Sequence, residues 1–169
     1  MHPLLPAERP ASATRGAYAA MVTAVAQLVV TAGTVSFTTW TDGDDAPSVG
    51  AGVFFVSWGV VSAVLLLLAA LLTLRRRHAG RVLFYVVGVI GLINHLACGV
   101  YNGIAGAEIQ RLEEAAREHP PMWMAAIGMT GAVLGVAAAI TGLVYYGRRS
   151  TREWLKPPPV MYYPAPQYR

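Results

Sequence analysis

Four long apolar segments dominate the pattern of hydrophobic and polar positions along the chain. They extend roughly over residues 17–40, 51–74, 82–105 and 122–147, and none of them contains Asp, Glu, Lys or Arg. At 1.5 Å per residue, a helix of this length crosses about 30 Å of hydrocarbon. The pattern therefore predicts an all-α membrane protein with four transmembrane helices.

The charges between these segments predict an orientation. The N-terminal stretch, the turn 75–81 and the C-terminal stretch together hold 11 of the 13 Lys and Arg residues, whereas the two other connections hold seven of the nine Asp and Glu residues. By the positive-inside rule, both termini and the turn 75–81 lie in the cytoplasm, and the acidic connections lie outside. We expect a four-transmembrane-helix antiparallel bundle in the plasma membrane, with both termini cytoplasmic.

Composition leaves no length for a soluble domain. The chain has 169 residues, of which 55% are hydrophobic and 13% are charged. We divide it into a cytoplasmic N-tail (1–16), a four-helix transmembrane domain (17–147) and a cytoplasmic tail (148–169). The net charge of +4 averages two oppositely charged ends, so it does not indicate nucleic acid binding. The lipid bilayer is the expected partner.

The first apolar segment also has features of a cleaved signal peptide. Two arginines precede it, and residues 30–32 read Val-Thr-Ala, the small-x-Ala pattern of a signal-peptidase site. However, the apolar character continues to Trp40, which a membrane span requires and a signal peptide does not. We expect the mature protein to retain this segment.

The connections carry different chemistry. Residues 41–50 contain three aspartates with glycine and proline, a composition typical of a solvated turn. Residues 108–118 are rich in helix formers, with Ile109, Leu112 and Ala116 on one face, so the third helix is predicted to continue beyond the membrane towards Pro120. Capping of the bundle is the simpler interpretation of this extension, and binding of an outside partner is the alternative. The arginines of the turn 75–81 determine topology and are also candidates for contact with lipid head groups: Arg75, Arg76, Arg77 and Arg81.

Polar residues form one stripe on the first helix and a second on the third helix. Because polar groups facing hydrocarbon are costly, both stripes must face protein or water. The candidate intramembrane polar cluster consists of Gln27, Thr31, Asn94, His95, Cys98 and Asn102. We predict that the first and third helices pack together, with Gln27 and Thr31 against Asn94 and His95.

Two interpretations of this cluster stay open. Hydrogen bonding between helices is the simpler one, at about 0.6 kcal/mol per bond. A functional site is the other, because ionisable groups inside a membrane tend to line pathways or relays. His95 has no carboxylate, lysine or second histidine in any apolar segment, and a metal would have only His95 and Cys98 as ligands. We therefore expect no cofactor, no metal and no catalytic residue, and a single cysteine excludes a thiol oxidoreductase.

Small residues on the fourth helix form a seam at spacings of three and four. Its glycines are Gly128, Gly131, Gly135 and Gly142. Such a seam lets another helix approach closely. We expect it to face a helix of another membrane protein or of a second copy of this chain.

The C-terminal tail becomes rich in proline and tyrosine after residue 156, with a Pro-Pro-Pro run at 157–159 and the sequence Tyr-Tyr-Pro-Ala-Pro at 162–166. This composition favours extended polyproline II structure and is typical of ligands for aromatic-lined grooves. No Pro-x-x-Pro or Pro-Pro-x-Tyr motif occurs in it, so a tail without a partner is an equal alternative.

The four segments, the Ala/Val/Gly-rich helices and the Pro/Tyr tail that follows Trp154-Leu155-Lys156 together resemble the small uncharacterised four-span integral membrane proteins of high-GC bacteria. This resemblance covers the whole chain and implies no functional residue. We expect a non-enzymatic membrane protein that acts by assembling with other proteins. The alternative is a small transporter or channel with a polar passage between the first and third helices.

Overall fold

The structure is a computed structural model that describes residues 9–41, 46–114 and 121–156. Its helices are α1 (Ala11–Thr41), α2 (Ala46–Leu74), α3 (His78–Glu114), α4 (Met122–Gly147) and α5 (Arg149–Trp154), and the described residues form no strand. Four stretches are long and apolar enough to cross a membrane: Ala11–Ser36, Val56–Leu74, His78–Glu114 and Met122–Gly147. The prediction of an all-helical protein with four long apolar helices is confirmed.

The four long helices pack so that each lies beside two neighbours. Helix α1 makes its most extensive contacts with α4 and α2, and α3 also lies against α4 and α2. The guanidinium of Arg9 donates to the carbonyl of Leu74 at 3.0 Å, and the Ser12 and Ser150 hydroxyls lie 2.9 Å apart. The start of α1 therefore lies beside the ends of α2 and α4, which makes these neighbours antiparallel and places α1 and α3 on a diagonal.

Several helices are longer than the apolar segments suggest. Helix α1 begins at Ala11, so the last six residues of the stretch assigned to the N-tail (1–16) are helical. Helix α2 begins at Ala46, within the predicted turn, and residues 42–45 lie outside the described residues. Helix α3 continues to Glu114, as predicted; Ala116 and Pro120 lie outside the described residues.

The acidic extension of α3 is part of the packed fold. Ile109 is buried in a cluster with Ala105 of the same helix and Ala125 of α4. The extension thus covers the start of α4, which is the capping contact that its amphipathic pattern predicts.

Large apolar side chains point outward while small ones fill the interior. Val25, Val64 and Ile104 are more than half exposed, whereas the buried set is dominated by alanine and glycine. This distribution is the reverse of a water-soluble bundle and is typical of helices that meet lipid, where close backbone contact replaces a core of leucines.

The largest interior side chains lie in the half of the bundle where α1 begins. The rings of Phe84 and Tyr146 are both fully buried and stack with their centroids 4.6 Å apart. Leu66 packs in the same cluster, surrounded by alanines of α1 and α2. Contacts in this cluster join α2, α3 and α4 between the polar residues and the end of the bundle where α1 begins.

Helix α5 was not predicted, because the basic stretch after residue 147 has the composition of a tail. It folds back against the bundle: the Thr151 hydroxyl donates to the Tyr145 carbonyl at 2.9 Å, and the Thr151 and Ser12 hydroxyl oxygens lie 2.8 Å apart. Leu155, directly after the helix, is 2% exposed. The described chain therefore ends in a docked helical turn that contacts the start of α1.

Candidate functional site

The predicted polar cluster lies mostly in the bundle interior. Gln27, His95 and Asn102 are at most 1% exposed, and Cys98 is also buried. Asn94 is half-buried and lies at the edge of the same face of α3. Helical periodicity on α1 and α3 thus identified the faces that turn away from the surroundings.

The diagonal contact between α1 and α3 is made near Asn102. Its amide nitrogen donates to the Thr34 hydroxyl at 3.2 Å and to the Cys98 carbonyl at 2.8 Å. One turn away, Val30 and Cys98 pack together with Ala132 of α4. Thr34 and Asn102 are 68 residues apart in sequence, as are Val30 and Cys98. Gln27 and His95 have the same separation, so they lie at the same level of the parallel helices α1 and α3.

The contacts of the predicted pairing differ from the expectation. Thr31 lies against Gly59 of α2, and its hydroxyl donates to the Gln27 carbonyl within α1. The Cys98 thiol points to the Asn94 side-chain oxygen at 3.9 Å within α3. The prediction that Thr31 faces Asn94 and His95 is therefore wrong, because the side chain of Thr31 lies against α2 rather than α3.

The glycine seam of α4 explains this arrangement. A Cβ atom built on Gly33 of α1 would lie 2.5 Å from the backbone nitrogen of Gly128, and one built on Gly131 would lie 2.7 Å from the backbone nitrogen of Val30. Helices α1 and α4 therefore meet backbone to backbone. This contact leaves α3 on the other side of the seam.

Three glycines of the seam also contact side chains of α3. A Cβ on Gly128 would meet Asn102, one on Gly135 would meet the His95 imidazole, and one on Gly142 would meet the Phe84 ring. All four seam glycines are buried. The expectation that the seam faces a helix of another protein is wrong, because α1 and α3 of the same chain already cover it.

Several buried polar atoms have no hydrogen-bond partner among the described residues. Those within the predicted polar cluster are the side-chain oxygen of Gln27, both ring nitrogens of His95 and the side-chain oxygen of Asn102. Buried polar atoms normally have partners, so these atoms are a costly feature of the interior. They can accept or donate hydrogen bonds, but the described residues bring no three His, Cys, Asp or Glu side chains together as a metal site would require.

A second candidate site lies where α1 begins and α5 docks, which we call the basic end. A cavity of about 390 Å³ there is lined by His78, Arg81, Arg149, Arg152, Glu153 and Lys156. Arg149 Nε donates to Glu153 Oε1 at 2.6 Å. This hydrogen bond, together with the charge of Arg149, lowers the pKa of the Glu153 carboxyl, and Lys156 and Arg152 lower it further.

The predicted head-group arginines have different surroundings at this end. Arg81 lines the cavity and lies over the Tyr85 ring at 5.3 Å. Arg75 and Arg77 are exposed and lie outside the cavity lining. The sequence signal for Arg149, Arg152 and Lys156 was the basic run after α4. This run has the composition of a tail, and six residues are too few to show helical periodicity.

Trp154 connects α5 to the turn between α2 and α3. Arg76 Nε donates to the Trp154 carbonyl at 2.8 Å, and the guanidinium of Arg76 lies 5.9 Å from the Trp154 ring centroid. Arg9 lies over the same ring at 5.8 Å. Arg76 has a φ of 58°, a left-handed conformation that costs about 1–2 kcal/mol in a non-glycine residue, so its side chain is held in an unusual turn.

Comparison with known proteins assigns no family to the chain: no family model matches it, and no significant match was found among the curated proteins or the solved structures.

Proposed function

We propose that the protein is an integral membrane protein of the plasma membrane with four spanning helices and both termini in the cytoplasm. The outward position of its large apolar side chains supports insertion into lipid. The grouping of the basic residues at the end where α1 begins and α4 ends supports a cytoplasmic position for that end.

This orientation predicts which positions a membrane-impermeant thiol reagent can reach. In a Cys98→Ala background, Gln110→Cys on the acidic extension is expected to react in intact spheroplasts, and Gln167→Cys in the tail only after permeabilisation. Maleimide labelling followed by gel shift measures both. Labelling of Gln167→Cys in intact cells, with none at Gln110→Cys, would reverse the orientation.

We further propose that the protein acts without catalysis, by assembling with a cytoplasmic partner through its Pro/Tyr-rich tail. The docking of α5 carries this proposal. Because Thr151 and Leu155 hold α5 against the bundle, the sequence from residue 157 onward leaves from a fixed point at the basic end. Its proline and tyrosine content suits a partner with an aromatic-lined groove that binds polyproline II segments.

The interior gives catalysis little support. The only cysteine, Cys98, lies one turn from His95, but its thiol hydrogen-bonds to Asn94. A nucleophile needs a base within hydrogen-bond reach. The buried seam also removes the lateral route of assembly that the sequence suggested, which leaves the tail as the stronger candidate for partner binding.

Removing the tail is expected to abolish partner recovery while leaving the bundle intact. We would purify the full chain, a variant truncated after Lys156, and a variant with Tyr162, Tyr163 and Tyr168 changed to alanine from native membranes, and compare co-purified proteins by mass spectrometry. A partner recovered with the full chain and lost from both variants is the expected result. An Arg148→Gln variant serves as a charge control, and identical partners for the full chain and all variants would eliminate the tail as the binding segment.

A transport role is the second candidate, and the unpartnered polar atoms favour it. Gln27 and His95 lie at the same level on parallel helices, and neither the Gln27 oxygen nor the His95 nitrogens have protein partners among the described residues. Polar atoms in such a position suit water or a small polar solute. Their burial, with exposed fractions of 0–1%, favours a packed interior over an open passage.

A further inference from the structure

The cavity at the basic end has an excess of positive charge. Four of its six lining residues are Arg or Lys, and Glu153 is the only carboxylate. That carboxylate is engaged by Arg149 through a 2.6 Å contact. Arg81, Arg152 and Lys156 form no ion pair with any described residue, so three cationic groups face a space whose single carboxylate is already paired with Arg149.

The cavity residues come from separate elements that the fold brings together. His78 and Arg81 belong to the first turn of α3, and Arg149, Arg152 and Lys156 belong to α5 and the residues directly after it. The Arg81 Nε is buried and has no hydrogen-bond partner among the described residues, while its guanidinium packs on Tyr85. A donor in this position needs an acceptor that the described protein residues do not supply.

The position in the fold indicates which acceptor reaches the cavity. The lining lies at the boundary between the apolar helices and the basic end, where the head groups of a surrounding bilayer lie. Basic cavities between helices at the cytoplasmic side suit phosphate-bearing head groups, and Arg presents donors in a geometry that matches phosphate oxygens. A volume of about 390 Å³ is within the range of small-molecule sites.

We propose that this cavity binds a phosphate group, supplied by the head group of an anionic phospholipid, through Arg81, Arg152 and Lys156. The proposal rests on the proposed membrane insertion. It differs from general attraction of the arginines 75–77 to a negative membrane surface, because the groups that bind are those that α5 brings against the start of α3.

The test compares lipid retention by the full chain and by two doubly substituted variants. Native mass spectrometry in detergent would measure retention of phosphatidylglycerol and phosphatidylcholine with identical acyl chains. The full chain is expected to retain phosphatidylglycerol selectively, and Arg152→Gln with Lys156→Gln to weaken this retention about tenfold or more. Arg75→Gln with Arg77→Gln removes the same charge outside the cavity and is expected to have a much smaller effect.

A variant that is expected to raise lipid retention distinguishes loss of the site from loss of the fold. Glu153→Gln removes the one carboxylate and releases Arg149, so it is expected to strengthen phosphatidylglycerol retention, which a destabilised protein would not do. Equal weakening by the two double variants would overturn the proposal in favour of diffuse attraction. Equal retention of the two lipids by the unaltered chain would overturn it as well.

Competition with inorganic phosphate distinguishes a phospholipid head group from a soluble phosphate compound as the source of the bound phosphate group. Displacement of phosphatidylglycerol by millimolar inorganic phosphate supports a shared site. If the chain binds inorganic phosphate but retains no phospholipid, the site is assigned to a soluble phosphate compound. Because these measurements are made in detergent, they are independent of thiol labelling in spheroplasts. If lipid retention fails but thiol labelling gives the expected pattern, the phosphate site is refuted and the proposed topology is not. If labelling fails but lipid retention gives the expected result, the topology is refuted and the phosphate site is not.

Discussion

Replacement of Gly33 by alanine is expected to lower the free energy of unfolding by about 1–3 kcal/mol, although alanine favours helices. A Cβ at this position would lie 2.5 Å from the backbone nitrogen and 2.6 Å from the Cα of Gly128. No side-chain rotation relieves a contact with backbone, so α1 and α4 must separate. Gly131→Ala is expected to act in the same direction, because its Cβ would lie 2.7 Å from the Val30 nitrogen.

Gly91 offers a matched control on α3. It is buried, yet a Cβ built there has no neighbouring heavy atom within 4 Å. Gly91→Ala should therefore be neutral or stabilise by about 0.5–1 kcal/mol through helix propensity alone. Denaturation in mixed micelles with increasing SDS measures all three variants, and equal stability of Gly33→Ala and Gly91→Ala would show that α1 and α4 do not meet at this glycine.

Sequence patterns were most informative about which residues are helical and least informative about which helices meet. The long charge-free segments predicted the four helices because each apolar run is long enough to cross a bilayer. The polar stripe of α1 correctly marked an interior face, as the burial of Gln27 shows. That face cannot identify its neighbour, because two adjacent residues of α1 meet different helices: Thr34 contacts Asn102 of α3, and Gly33 contacts Gly128 of α4.

The partner of the glycine seam depends on geometry that spacing does not encode. A seam at spacings of three and four fits any helix that presents small residues, whether it comes from the same chain or from another protein. Here Gly33 and the backbone around Val30 supply that surface within the chain. A glycine on α1 opposite a glycine on α4 was the available signal, but its register emerges only when the helices are packed.

The basic end illustrates the other limit of sequence reasoning. Helix α5 has six residues, fewer than two turns, so its sequence shows no apolar period. It is held by tertiary contacts instead, through Thr151, Leu155 and the stacking of Trp154 on Arg9 and Arg76. Because of these contacts, a run of basic residues forms one wall of a cavity. Charge counting alone would treat these residues only as determinants of topology, whereas the fold places them in the proposed phosphate site.

Alanine at Gly135 is expected to destabilise the bundle by about 1–3 kcal/mol, and this effect should shrink by about 1 kcal/mol or more when His95 is also alanine. The Cβ at position 135 would contact the imidazole ring, which is fully buried and can shift only by displacing its neighbours. Removing the ring opens the space that the new methyl group needs. A double-mutant cycle measured in mixed micelles gives the coupling energy directly.

Gly131→Ala provides the control for this cycle, because its close contacts are with Val29 and Val30 of α1 rather than with His95. Its cost should be the same with and without His95→Ala. Additive effects at Gly135 would contradict the packing of His95 on α4. Solute flux in proteoliposomes that is lost in His95→Ala, together with such additivity, would favour the transport candidate, since a residue that lines a passage affects flux without supporting a helix contact.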